Sequence, residues 1–187
     1  MRHPATSVDE ILGLYQRWGD TGYDEELSQS SHAAQVAAWA VAEGADDCQV
    51  AAALLHDVGH LLVMEDRDDA GTEVAADLQH ELLGARYLSG LYPPEVTRPI
   101  ALHVQAKRYR CAVDPGEVQR LSAGSQTSLA RQGGPMTAEE AAHFARQPSA
   151  SDALHLRIRD DAGKLLDADV APVASYRPLL GRLAVRR

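Results

Sequence analysis

The order of apolar and polar positions along the chain predicts a protein built almost entirely from α-helices. Apolar residues recur at helical spacing in most segments, and no period-two alternation lasts more than a few residues. Ser7 with Glu10, and Thr137 with Glu140, each show the pattern of a helix capping box. The predicted helical segments are 7–19, 32–45, 46–62, 77–91, 93–111, 114–135, 137–147 and 149–171.

The polar segments between these helices predict loops. The two most prominent are 20–31 and 64–76, which lack an apolar stripe and contain glycine. Nothing repeats along the chain, and 187 residues suit a single domain. We therefore predict an all-α fold, in which one helical bundle spans residues 1–187 with a core from about 7 to 180.

Composition and charge narrow the classes of function. The formal net charge of −9 argues against nucleic acid as a partner. No run approaches the ~18 apolar residues of a membrane span, and residues 1–20 lack the apolar stretch of a signal peptide. Cys48 and Cys111 form no CxxC pair. These features predict a cytoplasmic protein with no membrane or nucleic-acid partner, and they leave its oligomeric state open.

Segment 46–62 is apolar almost all round, which predicts the central buried helix, yet it carries three polar side chains near its end. These are His56, Asp57 and His60, in the motif HDVGH. A buried carboxylate such as Asp57 needs a partner, because an unpaired charge is costly to remove from water. A cation held by several histidines would be an economical partner for it.

Other predicted helices each contribute one more residue of a metal-binding type. Imidazole and carboxylate ligands without thiolate suit iron, manganese, nickel or zinc. Helix bundles hold two-metal sites well because facing helices project ligands inward, and a carboxylate with ligands on both sides can bridge two metals. The further candidates are His32, His80, His103 and either Asp160 or Asp161.

The order of these residues resembles the H…HD…D signature of the HD-domain superfamily. His80 and His103 resemble the additional ligands of its dinuclear members. Most members are phosphohydrolases that act on nucleotides or phosphomonoesters, whereas a smaller branch uses two irons to activate dioxygen. The residues that match the signature, in order, are His32, His56, Asp57 and Asp160.

Four further segments resemble the oxygenase branch of the PhnZ/TmpB type. GYDEE places Tyr23 and Glu26 in a Tyr-x-x-Glu loop, and HVQAK places Lys107 one helical turn after a predicted ligand. LSAGSQTSLARQGGPM, which contains Ser125, resembles the serine-rich segment of these enzymes. RIRDDAGK resembles their R-x-x-D-D-x-x-K ending, which makes Asp160 the ligand. The chain thus resembles HD-domain mixed-valent diiron oxygenases that cleave organophosphonates.

The resemblance implies a cofactor of two iron ions, one Fe2+ and one Fe3+, with O2 as co-substrate. Asp57 would bridge the two irons. Tyr23 would occupy the open iron position in the resting state until substrate displaces it. The first iron would be held by His32, His56, Asp57 and Asp160, and the second by His80, His103 and Asp57.

The resemblance also implies a reaction, the oxidative cleavage of the C–P bond of a small organophosphonate. The substrate would be 1-hydroxy-2-aminoethylphosphonate or its N-trimethylated analogue, giving phosphate and glycine or glycine betaine. Lys107, Ser125 and Arg157 would bind the phosphonate, while His60 would contact the substrate oxygens and Glu26 its cationic end. The expected catalytic residues are Tyr23, Glu26 and His60.

Alternatives remain open at this point. One is a metal-dependent HD phosphohydrolase acting on a phosphomonoester or nucleotide, and another is a metal-stabilised binding module without catalysis. Myo-inositol oxidation is less favoured, because Lys107, Ser125 and the QGG segment match the phosphonate branch better. The substrate's cationic end is either an amine or a trimethylammonium group. The latter favours aromatic faces, for which Tyr23, Trp18 and Tyr109 are candidates.

Overall fold

The computed structural model describes residues 3–24, 27–67 and 79–185, with the backbone alone at positions 23 and 24. The predicted all-α fold is confirmed, with one short antiparallel pair of strands, β1 (Gly22–Asp24) and β2 (Leu27–Ser28). Within these ranges no helix combines the length and the apolar character that a membrane crossing requires. The helices are α1 (Val8–Trp18), α2 (Gln29–Ala42), α3 (Asp47–Leu55), α4 (Val58–Arg67), α5 (His80–Leu88), α6 (Pro94–Val113), α7 (Glu117–Arg120), α8 (Ala123–Arg131), α9 (Ala138–Phe144), α10 (Ala150–Ala162) and α11 (Arg177–Leu183).

Helix α6 is the longest of the described helices and packs against α10, α5, α3 and α9. Helix α2 lies against α3 and α10, and α4 lies against α5 and α1. Ala51, Ala53, Leu54 and Leu55 of α3 are completely buried. The small side chains of α3 let its neighbours approach closely, because the distance between packed helices depends on the side chains at the contact. The helices that carry the predicted ligands therefore enclose one interior space.

Both predicted capping motifs lie at helix starts. At α9, the Thr137 hydroxyl accepts the N–H of Glu140 at 3.2 Å, and the Glu140 carboxylate accepts the N–H of Thr137 at 2.8 Å. At α1, the Ser7 hydroxyl accepts the N–H of Glu10 at 3.2 Å, but the Glu10 carboxylate accepts the N–H of Thr6 at 2.8 Å. The capping box of Thr137 and Glu140 is therefore complete. In that of Ser7 and Glu10, the glutamate bonds to the N–H one residue before the N-cap.

The prediction of one continuous helix over 46–62 is wrong. The chain forms α3 and α4, which are separated by a turn at His56 and Asp57. The carbonyl of Asp57 accepts the N–H of His60 at 2.9 Å, which starts the new helix. A continuous helix would point two adjacent side chains about 100° apart. The break lets His56 and Asp57 face the same interior space.

The two predicted loops also differ in part from the structure. Segment 20–31 contains the small strand pair, and α2 begins at Gln29, so that His32 lies in its first turn and not at its start. Helix α4 continues to Arg67, inside the segment predicted as a loop, and the rest of that segment lies outside the described residues. In both places polar residues are part of a helix. They form the start of α2 and the end of α4.

The last long helix ends at Ala162, not at 171 as predicted. Beyond it, the side-chain amide of Gln35 on α2 donates to the carbonyl of Leu165 and accepts its N–H, each at 2.9 Å. Gly163 lies so close to α2 that a Cβ at this position would stand 2.5 Å from a methyl of Val36. Contacts with α2 thus replace the hydrogen bonds that would have continued the helix.

Candidate metal centre

Six predicted ligands from five parts of the fold converge in the interior of the bundle. His32 comes from α2, and His56 with Asp57 comes from the turn between α3 and α4. His80 is the first residue of α5 and His103 lies within α6. The sixth is Asp160 of α10. Each of the six residues is no more than 9% exposed.

Asp57 stands between two pairs of histidines. Its Oδ2 lies 3.3 Å from Nε2 of His56 and 3.8 Å from Nε2 of His32. Its Oδ1 lies 3.4 Å from Nε2 of His80 and 3.6 Å from Nε2 of His103. Each carboxylate oxygen therefore faces a different pair, which is the arrangement that a bridging carboxylate requires. Two groups of potential ligand atoms share Asp57.

Backbone carbonyls orient three of the four histidines. A carbonyl oxygen only accepts, so the ring nitrogen that faces it carries the proton, and Nε2 of the neutral ring presents its lone pair to the interior. The same support behind a ligand is typical of metal-binding histidines. The bonds run from Nδ1 of His32 to Gly163 (2.9 Å), of His56 to Ala53 (2.9 Å) and of His103 to Ile100 (2.8 Å).

These orientations bring together nitrogen and oxygen atoms whose lone pairs repel each other. A positive charge between these atoms would offset the repulsion. Nε2 of His32 lies 3.2 Å from Nε2 of His56, and the same distance separates Nε2 of His80 from Nε2 of His103. Oδ1 of Asp160 is buried without a hydrogen-bond partner and lies 3.2 Å from Nε2 of His32. Two imidazoles on adjacent positions of one metal, each bound at ~2.1 Å, would lie about 3 Å apart.

The charges of the site also favour a cation. Burial raises the pKa of Asp57, but the charge of His56, together with hydrogen bonds from His56 and His80, outweighs burial and holds that pKa well below its usual range. Burial lowers the pKa of His56, yet Asp57 and Asp160 raise it to about 9. The two carboxylates thus attract a positive charge, either a proton on His56 or a metal ion. Four imidazoles and two carboxylates fit iron, manganese, nickel or zinc.

Gly59 in the HDVGH motif lets the predicted ligand His80 reach the centre. A Cβ added at Gly59 would lie 2.0 Å from the carbonyl oxygen of His80, so α4 and the start of α5 touch backbone to backbone. Gln79, just before His80, has a φ of 51°, in the left-handed region that non-glycine residues rarely adopt. The sequence analysis did not predict this role of Gly59. The only sequence signal for it is the position of the glycine between Asp57 and His60.

Two lysines lie beside this centre with Ser125 and Ser128 of α8 and with Ser122, the N-cap of that helix, and we call the five residues the lysine–serine cluster. The predicted phosphonate ligands Lys107 and Ser125 both belong to it, although they are not bonded to each other. Lys107 Nζ donates to Ser128 at 2.8 Å, and Lys164 Nζ donates to Ser125 at 2.8 Å. The cluster consists of Lys107, Lys164, Ser122, Ser125 and Ser128.

Comparison with known proteins identifies the family, although no family model matches the chain. A hydroxymethylphosphonate dioxygenase of Gimesia maris is 40% identical over 173 residues, which cover 92% of this chain and 86% of that protein. The 1-hydroxy-2-(trimethylamino)ethylphosphonate dioxygenase (glycine-betaine-forming) of Leisingera caerulea is 35% identical over 183 residues, or 94% and 89% of the two chains. The chain belongs to this phosphonate dioxygenase family. The predicted PhnZ/TmpB-type resemblance and the prediction of an oxygenase are thereby confirmed.

Among the residues expected to contact substrate, two lie at the edge of the centre. The ring of His60 stacks on the ring of His80 with 4.0 Å between centroids, and its Nε2 lies 4.0 Å from Oδ1 of Asp57. With 35% of its side chain exposed, His60 is more open than the six buried residues. Arg157 donates to Asp160 at 2.6 Å and also bonds to Asp161. Substrate contacts by His60 and Arg157 stay predictions for this dioxygenase family member.

The structure bears differently on the two loop residues and the two aromatic rings that were predicted to contact the substrate. Glu26 and the side chain of Tyr23 lie outside the described residues, so their assigned roles stay predictions. Tyr109 packs against Phe144 with 5.0 Å between ring centroids, and the indole N–H of Trp18 donates to Glu65. These contacts of both rings are thus with residues outside the six candidate ligands.

Proposed function

We propose that this chain is a diiron dioxygenase that cleaves the C–P bond of a 1-hydroxyphosphonate. The observation that carries the proposal is the pair of ligand groups that share Asp57, one on each carboxylate oxygen. The names of the two relatives support it, since both act on a phosphonate with dioxygen. They do not favour a phosphohydrolase. The expected cytoplasmic location and the expected absence of a nucleic-acid or membrane partner stay predictions.

The reaction balances without a further oxidant. R–CH(OH)–PO3H2 and O2 give R–COOH and H3PO4, with cleavage of the C–P bond and a C–H bond and one added oxygen each on carbon and phosphorus. Two bound irons, one ferrous and one ferric, would supply the activation of dioxygen. The donor set would place one of them at His32, His56 and Asp160, and the other at His80 and His103, with Asp57 between them.

The chain's own residues would bind and orient the substrate. Lys107 is 4% exposed, and a buried ammonium group binds an anion more strongly than an exposed one, because less water screens the charge. Ser125 would offer a hydroxyl donor to the phosphonate, while the Ser128 hydroxyl donates to the carbonyl of Ser125 at 3.1 Å and accepts from Lys107. His60, which is partly exposed and stacked on His80, would donate a hydrogen bond to the 1-hydroxyl group.

The two relatives differ in the group attached to the hydroxylated carbon. It is hydrogen in hydroxymethylphosphonate and a trimethylammonium-bearing carbon in the other substrate. The aminoethyl and trimethylaminoethyl compounds stay the predicted substrates, and hydroxymethylphosphonate is a second candidate because of the 40% identical relative. Tyr23 and Glu26 stay the predicted contacts of a trimethylammonium group.

We expect the iron-loaded protein to release one phosphate for each O2 consumed, and none without oxygen. The test adds iron anaerobically and then offers the three 1-hydroxyphosphonates in turn, with and without O2, while phosphate and the carboxylic acid are both measured. Phosphate release at the same rate without O2 would contradict the proposal. Cleavage of phosphomonoesters with manganese or cobalt would instead indicate a phosphohydrolase.

The titration of Lys107 should make kcat/KM fall at high pH, which gives the pH profile a basic limb. Burial, followed by the charge of Arg157, lowers the pKa of Lys107 to about 8. Because the protonated form binds the phosphonate, kcat/KM should be level below this pH and fall above it. Lys107→Arg stays protonated, so its fall should move to higher pH. Lys107→Met should lower kcat/KM about 10- to 100-fold below the limb. An unchanged limb in both variants would contradict the assignment.

A further inference from the structure

We propose that Tyr15 is a positioning residue for the metal centre, because its hydroxyl holds the break between α3 and α4 that turns His56 and Asp57 inward. This inference rests on the proposed function, since it concerns how the chain presents the bridging carboxylate to two irons. It adds a residue from α1, a helix that contains none of the six candidate ligands. In the sequence, Tyr15 lies in the first predicted helix and belongs to none of the motifs.

The first support is the way in which the last carbonyls of α3 are bonded. In a continuous α-helix, the carbonyls of Ala53 and Leu54 would accept the backbone N–H groups four residues later. Here the carbonyl of Ala53 accepts from Nδ1 of His56 at 2.9 Å, and that of Leu54 accepts from the Tyr15 hydroxyl at 2.8 Å. Two side chains therefore donate to the carbonyls at the point where α3 ends.

The second support is the burial of the bond between Tyr15 and Leu54. Tyr15 is 6% exposed and Leu54 is completely buried, although the two residues are 39 positions apart in the chain. A buried carbonyl that loses its donor costs more free energy than an exposed one, because bulk water does not replace the donor. Without the Tyr15 hydroxyl, the Leu54 carbonyl would favour the backbone N–H of Val58, which is the bond of an unbroken helix. The hydroxyl thus favours the broken form.

The third support is that α1 is bonded to both sides of the break. Tyr15 bonds to Leu54 of α3, whereas Arg17 donates to the carboxylate of Glu65 on α4 at 2.9 and 3.0 Å. The indole N–H of Trp18 also donates to Glu65. Three consecutive turns of the fold, the end of α1, the end of α3 and the body of α4, are therefore connected. Helix α1 acts as a splint that fixes the direction of α3 relative to α4.

The fourth support is the chemical state of the Tyr15 hydroxyl. Burial, followed by the negative charge of Asp57, raises the pKa of Tyr15. The hydroxyl therefore keeps the proton that it donates to the Leu54 carbonyl. Because it bonds to a backbone carbonyl and not to one of the six candidate ligands, Tyr15 acts on the metal centre through the backbone that carries His56 and Asp57.

We expect Tyr15→Phe, which keeps the ring and removes only the hydroxyl, to weaken iron binding about 10-fold, the lower range for losing a group that orients a metal ligand. Tyr92→Phe is the matched control, with iron binding unchanged. The hydroxyl of Tyr92 is also buried, but within the described part of the chain it has no hydrogen-bond partner. Iron affinity is measured anaerobically by competition with a chelator, well below the melting temperature of each variant.

The melting temperature of the iron-free protein separates positioning from a purely structural role. A bond that only stabilises the fold would lower this temperature in Tyr15→Phe and leave the iron affinity of the folded protein at the wild-type value. That result would overturn the inference. A 10-fold loss of iron affinity in Tyr15→Phe, with none in Tyr92→Phe, would support it.

Iron binding without substrate also separates this inference from the proposed reaction. If Tyr15→Phe loses iron affinity but the wild-type protein releases no phosphate from any of the three 1-hydroxyphosphonates, the positioning role stands and the proposed function fails. If the wild-type protein cleaves the C–P bond and Tyr15→Phe binds iron as tightly as wild type, the role of Tyr15 is wrong.

Discussion

Replacing Asp57 with Asn is expected to abolish the binding of two metal ions and to lower kcat/KM by more than about 100-fold, the upper range for losing a group behind a metal ligand. Asn has the shape of Asp but one acceptor oxygen and one NH2 group. In the protein, Oδ1 faces His80 and His103, and Oδ2 faces His32 and His56. One of the two histidine pairs must therefore face an NH2 group, which cannot bind a metal.

The effect is measured as iron per chain and as the rise in melting temperature on iron addition, because a bound metal stabilises the folded state. Wild-type protein should bind two irons, and Asp57→Asn at most one. Asp152→Asn on α10 is the matched control, since its carboxylate accepts from Gln49 and lies outside the ligand set. Asp57→Asn protein with two irons per chain would rule out the bridging role.

The six candidate ligands could be predicted: five are polar side chains in predicted helices, where they need partners, and the resemblance chose Asp160 over Asp161 as the sixth. The break between α3 and α4 could not. Segment 46–62 is apolar almost all round, so it has no apolar face whose direction could change at a turn. Its sequence pattern therefore does not reveal the turn at His56 and Asp57. Only the packed structure shows that this turn brings both side chains into one space.

The substrate side of the site was predicted less completely than the metal side. Ser125 and Lys107 were found from the resemblance, but their bonds go to Lys164 and Ser128. These partners depend on α10 ending at Ala162, which in turn depends on contacts with α2 that are distant in sequence. Side chains brought together by such long-range contacts leave no spacing pattern in the chain.

Replacing Gly59 with Ala is expected to displace His80 and so to remove the metal held by His80 and His103 before the other one. The added Cβ would stand 2.0, 2.7 and 2.9 Å from the carbonyl oxygen, carbonyl carbon and Cα of His80. These are backbone atoms, so no side-chain rotation relieves the clash and α4 must move away from α5. Overpacking of this kind costs about 1–3 kcal/mol, and activity should fall with the loss of the metal.

The matched control for this change is Gly181→Ala in α11, where a Cβ would meet no atom within 4 Å. A helical alanine in open space should raise stability by up to about 1 kcal/mol, with both irons retained. Iron content, melting temperature with and without iron, and phosphate release are measured for both variants. Because His32, His56 and Asp160 lie away from the clash, Gly59→Ala should keep one iron per chain. Full iron content and activity in Gly59→Ala would show that α4 and α5 can separate without moving His80.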